Sequence, residues 1–171
     1  ERSDDLFNDA RDFSIGPEDA ELTIVEFFDY RCGYCKASLD WVQALPEDTD
    51  GKVRVVFKEF PILSAESEQA ALAALAAGEQ GLYNEMHAGL MKSRSSFKEA
   101  DIDKIAEEVG VDVQRMRADM KTSDVRQHLA DVRGLAQAIG TTATPTFIID
   151  GQLVAGFDKA RLEAIIAEKT G

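Results

Sequence analysis

Cysteine occurs at only two positions of this chain, and both lie in the tetrapeptide Cys32-Gly33-Tyr34-Cys35. The tetrapeptide directly follows the apolar run of residues 22–28 and begins an amphipathic segment, so we expect it where a strand leads into a helix. Side chains three residues apart on a helix lie about one turn from each other, close enough for a disulfide to form and break reversibly. The sequence therefore predicts a redox-active cysteine pair.

The start of a helix also favours the reactive form of the first cysteine. Free main-chain N–H groups and the positive dipole end stabilise a thiolate, so Cys32 is the expected nucleophile. Cys35 follows one turn later and is expected to be shielded from solvent. It would resolve a mixed disulfide by attacking the sulfur of Cys32 and releasing the reduced partner.

Two other roles of a cysteine pair compete with this interpretation. A zinc site needs four ligands, and only His87 and His128, far along the chain, are available as additional nitrogen ligands. An inert structural disulfide across so few residues would close a very small loop and restrict the unfolded chain little. We therefore favour thiol–disulfide exchange, which requires no metal and no organic cofactor.

The composition limits the class of protein further. The chain has 171 residues, 44% of them hydrophobic, which is sufficient for one domain carrying an insertion. A formal net charge of -13 opposes binding to nucleic acid and to anionic lipid. No stretch approaches the roughly 18 apolar residues of a membrane-spanning helix. Because the sequence begins at Glu1 and shows no signal peptide, we expect that an upstream segment has been removed.

The chain around the cysteine motif predicts a mixed α/β fold. Residues 1–15 are polar and acidic and are interpreted as an N-terminal arm. Strands at residues 22–28 and 52–58 flank a helix at residues 33–45, which ends where Pro46 begins a break. Together these elements form a βαβ unit.

Residues 64–139 have a helical pattern throughout. The predicted helices occupy residues 65–77, 80–91, 102–109, 113–121 and 125–139. A hairpin around Asp150-Gly151 follows, and Asp158 can cap a final helix. Because a strand pattern resumes directly after the helices, the block is expected to be an insertion between two halves of one domain.

This order of elements, with Cys-x-x-Cys at the first strand-to-helix junction and Pro145 just before the third strand, resembles the thioredoxin fold. The helical block narrows the resemblance to DsbA-like proteins. The likeness is carried by residues 23–30, 57–63 and 144–147, which are most similar to the suppressor-of-copper-sensitivity branch of the bacterial DsbA-like proteins. It implies a DsbA-like domain over residues 16–171.

The resemblance implies roles for residues around the cysteine pair. In such proteins the proline matching Pro145 is cis and packs beside the cysteines, and the main chain of the preceding residue, here Thr144, pairs with an extended substrate. An acidic residue at the position of Glu26 assists deprotonation of the buried cysteine, and a carboxylate in an apolar strand should have a raised pKa. The alternatives are an ordinary proline at a strand start and a Glu26 side chain that reaches water.

The dipeptide Gly33-Tyr34 differs from the Pro-His of DsbA and matches the disulfide isomerase DsbC, and Thr144 is similar to DsbC too. These residues tune the redox potential, so the oxidase and isomerase directions both stay open. The resemblance implies a periplasmic protein. Its expected partners are unfolded or misoxidised proteins and a membrane redox partner protein. Isomerases of this kind are oligomers, so we also expect a homo-oligomer formed through an N-terminal or missing segment.

A binding protein is the alternative from a different class. Two thiolates are soft ligands suited to Cu(I), which tolerates low coordination numbers and prefers sulfur. The chain would then be a copper-binding or chaperone-like periplasmic protein that uses Cys32 and Cys35 as ligands and shows no redox turnover.

Charged and titratable residues elsewhere carry weaker expectations. Arg31 and Lys36 flank the cysteine pair and either add positive potential that favours the thiolate or are solvated. Lys58 lies at the end of a strand and is expected to reach solvent. His87 and His128 lie on predicted helices and are expected at the surface or as core filling.

Overall fold

Strand β2 (Leu22–Phe28) is the centre of the fold, because six of its seven side chains are buried. The computed structural model describes residues 3–171. In it β2 pairs in parallel with β3 (Val53–Glu59) and antiparallel with β4 (Thr146–Ile149). Burial on both faces explains why the apolar run in β2 is nearly continuous rather than alternating.

Five strands form one sheet among the described residues, in the order β1-β3-β2-β4-β5. The outer strands are β1 (Phe13–Ile15) and β5 (Gln152–Ala155), and each pairs antiparallel with its neighbour. Asp150 and Gly151 join β4 to β5 with positive φ angles of 48° and 71°, as a two-residue hairpin turn requires. The predicted thioredoxin-fold order is confirmed.

Helices cover the sheet on both sides. In chain order they are α1 (Ser3–Phe7), α2 (Gly33–Asp48), α3 (Ala65–Gly78), α4 (Tyr83–Lys92), α5 (Glu99–Glu108), α6 (Val113–Asp119), α7 (Ser123–Ile139) and α8 (Lys159–Thr170). The five helices α3 to α7 lie between β3 and β4, so the helical block interrupts the two halves of the sheet as expected.

Helix α2 is longer than predicted. It continues through Pro46 to Asp48, so the prediction that Pro46 breaks the chain was wrong. The proline lies in the last turn, and Thr49 stabilises the helix end because its main-chain N–H and its hydroxyl both bond to the Leu45 carbonyl. The chain then reverses at Gly51, whose φ is 79°.

The two faces of the sheet pack against different helices. On one face Ile24 and Val55 join a core with buried residues of α2 and with α3, whose residues 70–77 are all buried. Alanine predominates in that stretch, which lets the helix pack closely on its neighbours. On the other face Val25 packs in a cluster with Leu135 of α7.

The segment interpreted as an arm forms α1 and β1. Two of its residues contact a buried lysine of β3. Lys58 is 1% exposed, so the expectation that it reaches solvent was wrong. Its ammonium group donates to the Asp5 carbonyl at 2.6 Å and forms an ion pair with Asp12. The same carboxylate contacts His128 Nε2 at 2.8 Å. Residues distant in sequence thus hold the N-terminal segment on the sheet.

We predict that Asp12→Ala lowers the free energy of unfolding by about 3 kcal/mol or more, because it leaves the Lys58 ammonium buried without a counter-charge. The matched control is Asp131→Ala, which removes a largely exposed carboxylate paired with Arg11 at 2.8 Å and should cost about 1 kcal/mol or less. Chemical denaturation measures both. Equal losses in the two variants would contradict a structural role for the buried pair.

Candidate active site

Cys32 is the N-cap residue of α2, and its sulfur lies where free main-chain N–H groups of the helix point. The Cys35 main-chain N–H donates to Cys32 Sγ at 3.2 Å, and the thiol itself donates to the Thr144 carbonyl at 3.4 Å. Hydrogen bonding to the Cys35 side chain, and then to the Thr144 side chain and the N–H groups of Cys35 and Tyr34, outweighs burial and lowers the pKa of Cys32 to about 6. The thiolate therefore predominates at neutral pH.

Cys35 lies in the opposite environment. Its side chain is 1% exposed, and burial, the hydrogen bond to Cys32 and the charges of Glu26 and Cys32 together raise its pKa well above the ordinary value. Both cysteines are free thiols in the structure. At neutral pH one sulfur is thus charged and the other is protonated, which is the division of labour that an attacking and a resolving cysteine require.

The loop before β4 forms the opposite wall of the site. The Thr144–Pro145 peptide bond is cis, and the Thr144 carbonyl is the group that contacts Cys32 Sγ. Thr146 fixes the loop by donating its hydroxyl to the Ala143 carbonyl at 2.7 Å, and the Gly156 N–H donates to the Pro145 carbonyl at 2.7 Å. The structure therefore brings Thr144 and Pro145 to the cysteine pair.

Glu26 lies on β2 and is only 2% exposed, so the alternative in which it reaches water was wrong. Alternation along the strand directs it to the same face as Phe28, whose core cluster includes Cys35. Burial and the charge of Cys32 raise the pKa of Glu26 to about 8. The carboxyl group can therefore gain and lose a proton near neutral pH.

The dipeptide between the cysteines faces solvent. Tyr34 is 70% exposed, and a Cβ atom built on Gly33 would meet no other atom within 4 Å. Nothing in the described residues therefore covers this side of the motif. Lys36, by contrast, is half-buried: its ammonium group donates to the carbonyls of Leu90, Met91 and Ser93 at 2.5–3.3 Å, and thus holds the end of α4.

Sequence reasoning missed Asp29, which follows β2 and lies three residues before Cys32. The side chain is 1% exposed, and its carboxylate accepts hydrogen bonds from the main chain of Ile62 and Leu63 and from Ser67. The signal in the sequence was an acidic residue directly after a buried strand. Its partners lie more than thirty positions away, so the pattern alone does not reveal them.

A second buried acid, Glu59 at the end of β3, also went unrecognised. Its Oε2 accepts from Tyr30 at 2.9 Å and from Tyr83 at 2.6 Å, while Oε1 has no hydrogen-bond partner among residues 3–171. Burial raises the pKa of Glu59 well above the ordinary value. His87 contacts the Tyr30 hydroxyl at 2.8 Å, and burial lowers its pKa to about 3. This network joins Tyr83 and His87 of α4 to the C-terminal end of β3 and to Tyr30.

The described residues contain neither a candidate membrane-spanning helix nor a candidate metal site. Within residues 3–171, no helix has both the length and the apolar character needed to cross a membrane. The same range contains no group of three or more His, Cys, Asp or Glu side chains arranged to hold a metal ion.

A Cys-x-x-Cys motif at a helix N-terminus, next to a cis-proline loop at the end of a mixed sheet, defines a thioredoxin-fold protein. Comparison with known proteins agrees, since residues 8–168 match the family described as Thioredoxin. The chain belongs to this family.

Solved structures refine the relationship. A thioredoxin-like oxidoreductase from Silicibacter pomeroyi DSS-3 is 40% identical with a TM-score of 0.90, and the match covers 96% of this chain and 95% of that one. The thiol-disulfide exchange protein alpha-DsbA2 from Wolbachia pipientis is 26% identical with a TM-score of 0.89, covering 99% and 92%. The catalytic domain of Proteus mirabilis ScsC is 26% identical with a TM-score of 0.87, covering 99% and 94%. The resemblance to DsbA-like proteins is confirmed.

The curated relatives are much longer proteins. The Na(+)/H(+) antiporter NhaA 3 of Salinispora tropica is 34% identical over 153 residues, which is 83% of this chain. The chain spans only 22% of the length of that relative.

We predict that the Cys32 thiol is half ionised at a pH of about 6, because hydrogen bonds at the start of α2 stabilise its thiolate. The ultraviolet absorbance of the thiolate and the rate of alkylation by iodoacetamide, both followed against pH, measure this midpoint. The Cys32→Ser variant should lose the transition, since Cys35 stays protonated. A midpoint near the ordinary thiol value of about 8.5 would contradict the assignment.

Proposed function

We propose that the chain is a thiol–disulfide oxidoreductase that exchanges disulfides with protein substrates, with Cys32 as nucleophile and Cys35 as resolving cysteine. The observation that carries the proposal is the contrast between the two sulfurs: the pKa of Cys32 falls to about 6 and that of Cys35 rises far above the ordinary value. The oxidoreductase of Silicibacter pomeroyi and the thiol-disulfide exchange protein of Wolbachia pipientis, with similar folds, support it.

In the reducing direction the Cys32 thiolate attacks one sulfur of a substrate disulfide. A bond forms between Cys32 and that sulfur, and the other substrate sulfur leaves as a thiolate. Cys35 then loses its proton and attacks Cys32 Sγ, which forms the Cys32–Cys35 disulfide and releases the second substrate thiolate. Two electrons pass from the protein to the substrate. In the oxidising direction the same steps run in reverse, and the low pKa makes Cys32 a good leaving group.

Glu26 would carry the proton of Cys35. The carboxyl group is buried on the same face of the sheet as the core around Cys35, and its charge raises the pKa of that thiol. As a carboxylate Glu26 can accept the proton when Cys35 attacks, and as a carboxylic acid it can return the proton when the disulfide is reduced. A pKa of about 8 allows both states near neutral pH.

Thr144 and Pro145 would form the ledge on which an extended substrate lies. The Thr144 carbonyl already contacts Cys32 Sγ, so a substrate main chain paired with this residue would bring its own sulfur to the nucleophile. Gly33 and Tyr34 would tune the redox potential and contact the substrate, since both are exposed beside the sulfur of Cys32.

We further propose a periplasmic location, unfolded or misoxidised protein substrates and a membrane redox partner protein, as for DsbA-like proteins.

We predict that Cys32→Ser reduces catalysed reduction of insulin and refolding of a scrambled disulfide substrate to the uncatalysed level. Cys35→Ser should instead accumulate a mixed disulfide between Cys32 and the substrate, because the attack that resolves it is lost. Turnover by the unaltered protein should persist in the presence of a Cu(I) chelator. Full activity of Cys32→Ser would overturn the proposal, and no turnover by the unaltered protein, with or without the chelator, would favour the copper-binding alternative.

We predict that Glu26→Gln slows the resolving step by about 100-fold above pH 8, the lower end of what a general base contributes. The rate of thiol release in a single turnover with a peptide disulfide should rise with pH through about 8 in the unaltered protein, where Glu26 becomes a carboxylate. The variant should lack this inflection. Glu59→Gln is the matched control, because it alters a buried carboxyl group bonded to tyrosines instead, and it should keep the inflection. An unchanged pH profile in Glu26→Gln would contradict the role.

A further inference from the structure

The buried carboxylate of Asp29 binds two parts of the molecule at once. We infer that Asp29 is a positioning residue for substrate recognition: it holds Ile62 and Leu63 beside the cysteine pair, where they contact a large apolar side chain next to the substrate disulfide. The inference rests on the proposed function, because the occupant of this surface is the substrate bound through its sulfur to Cys32.

All acceptor positions of the Asp29 carboxylate are used. Oδ1 accepts from the Arg31 N–H at 2.7 Å and from the Ser67 hydroxyl at 2.7 Å. Oδ2 accepts from the N–H groups of Ile62 and Leu63, both at 2.9 Å. Burying a carboxylate is costly unless hydrogen bonds replace its water, and here four donors do so. Such an arrangement fixes the loop after β3 far more tightly than a solvated turn.

The main chain of Asp29 forms hydrogen bonds with both cysteines. Its carbonyl accepts from the Cys32 N–H at 3.0 Å, and hydrogen bonding from its main chain moderates the raised pKa of Cys35. One residue away, the Phe28 carbonyl accepts from the Phe60 N–H at 2.9 Å. The turn that carries the cysteines and the loop of residues 60–63 are therefore fixed to the same two residues.

The loop of residues 60–63 exposes two large apolar side chains. Large apolar side chains that are substantially exposed among the described residues are few: Tyr34 at 70%, Leu63 at 54%, Ile62 at 40% and Leu153 at 39%. The first three, which we name the apolar rim, all belong to segments bonded to or adjacent to the cysteine turn. Ile62 and Leu63 are consecutive and both exposed, and neighbouring exposed apolar side chains are typical of an interaction site.

The occupant of the apolar rim is a side chain next to the substrate cysteine. A substrate in mixed disulfide with Cys32 is covalently bound to the turn that Asp29 joins to Ile62 and Leu63, so residues beside the substrate cysteine can reach the apolar rim. Burying an apolar side chain there is favourable in proportion to the area removed from water. The chain is strongly acidic, with a net charge of -13, so an uncharged apolar contact also avoids dependence on the charge of the substrate. The rim thus fits a Leu-like or Phe-like side chain flanking the substrate cysteine.

The test compares two peptide disulfides that differ only in having Leu or Ser beside the cysteine. We expect the unaltered protein to prefer the Leu peptide by about tenfold in kcat/KM, mostly through KM. Asp29→Asn should reduce this preference to about twofold, because the amide replaces one acceptor oxygen by a donor and the four donors cannot all be satisfied. An unchanged preference in Asp29→Asn, or no preference in the unaltered protein, would overturn the inference.

Matched variants separate positioning from general stability. Ser67→Ala removes one of the four bonds but leaves both bonds to the loop, so the preference should stay tenfold. The double variant Ile62→Ser with Leu63→Ser should lose the preference without touching Asp29, and adding Asp29→Asn to it should cause no further loss. If Asp29→Asn fails to fold, the double variant decides: a preference retained in it overturns the inference.

The same experiment distinguishes two kinds of failure. Turnover of the Ser peptide reports the proposed function itself, so turnover of both peptides without a preference refutes only the role of the rim. No turnover of either peptide by the unaltered protein refutes the proposed function. If the double variant lost self-association in sedimentation while its peptide preference stayed unchanged, the rim would belong to a second copy of the chain and the inference would fail.

Discussion

The hydrogen bonding of one sulfur atom at the start of α2 is the interaction on which the account of this protein depends. Cys32 is the N-cap residue, so the helix must leave main-chain N–H groups pointing at its side chain. Hydrogen bonding to the Cys35 side chain, and then to the Thr144 side chain and to those N–H groups, outweighs the effect of burial on the thiolate. Without them a sulfur that is only 7% exposed would be a poorly reactive thiol.

The ends of β2 and β3 carry three buried acids whose surroundings differ. Glu26 is buried without a compensating charge, and its pKa rises to about 8. Asp29 is buried as well, yet it accepts four hydrogen bonds that suit a carboxylate. Glu59 is held by two tyrosine hydroxyls in a core of aromatic rings, and its pKa rises well above the ordinary value. The surroundings of each carboxyl group, rather than its chemistry, thus set the raised pKa of Glu26 and Glu59 and the hydrogen bonding of Asp29.

Much of the fold follows from local patterns in the sequence. The unbroken apolar run of β2 predicts a central strand, and the cysteine spacing at its end predicts the helix that begins there. The features that escaped prediction depend on contacts between distant segments. Lys58 is buried because the N-terminal residues cover it, and Asp29 is buried because a loop and α3 supply its donors. Pro46 stays within α2 because Thr49 stabilises the helix end.

The most direct test is the reduction potential of the cysteine pair measured against pH. With a Cys32 pKa of about 6, reduction takes up two protons below that pH and only one above it. The potential should therefore fall by about 59 mV per pH unit below the break and by about 30 mV per unit above it. A break near pH 6 is the predicted result. A single slope of about 59 mV per unit up to pH 8 would show that Cys32 is an ordinary thiol and would contradict the account.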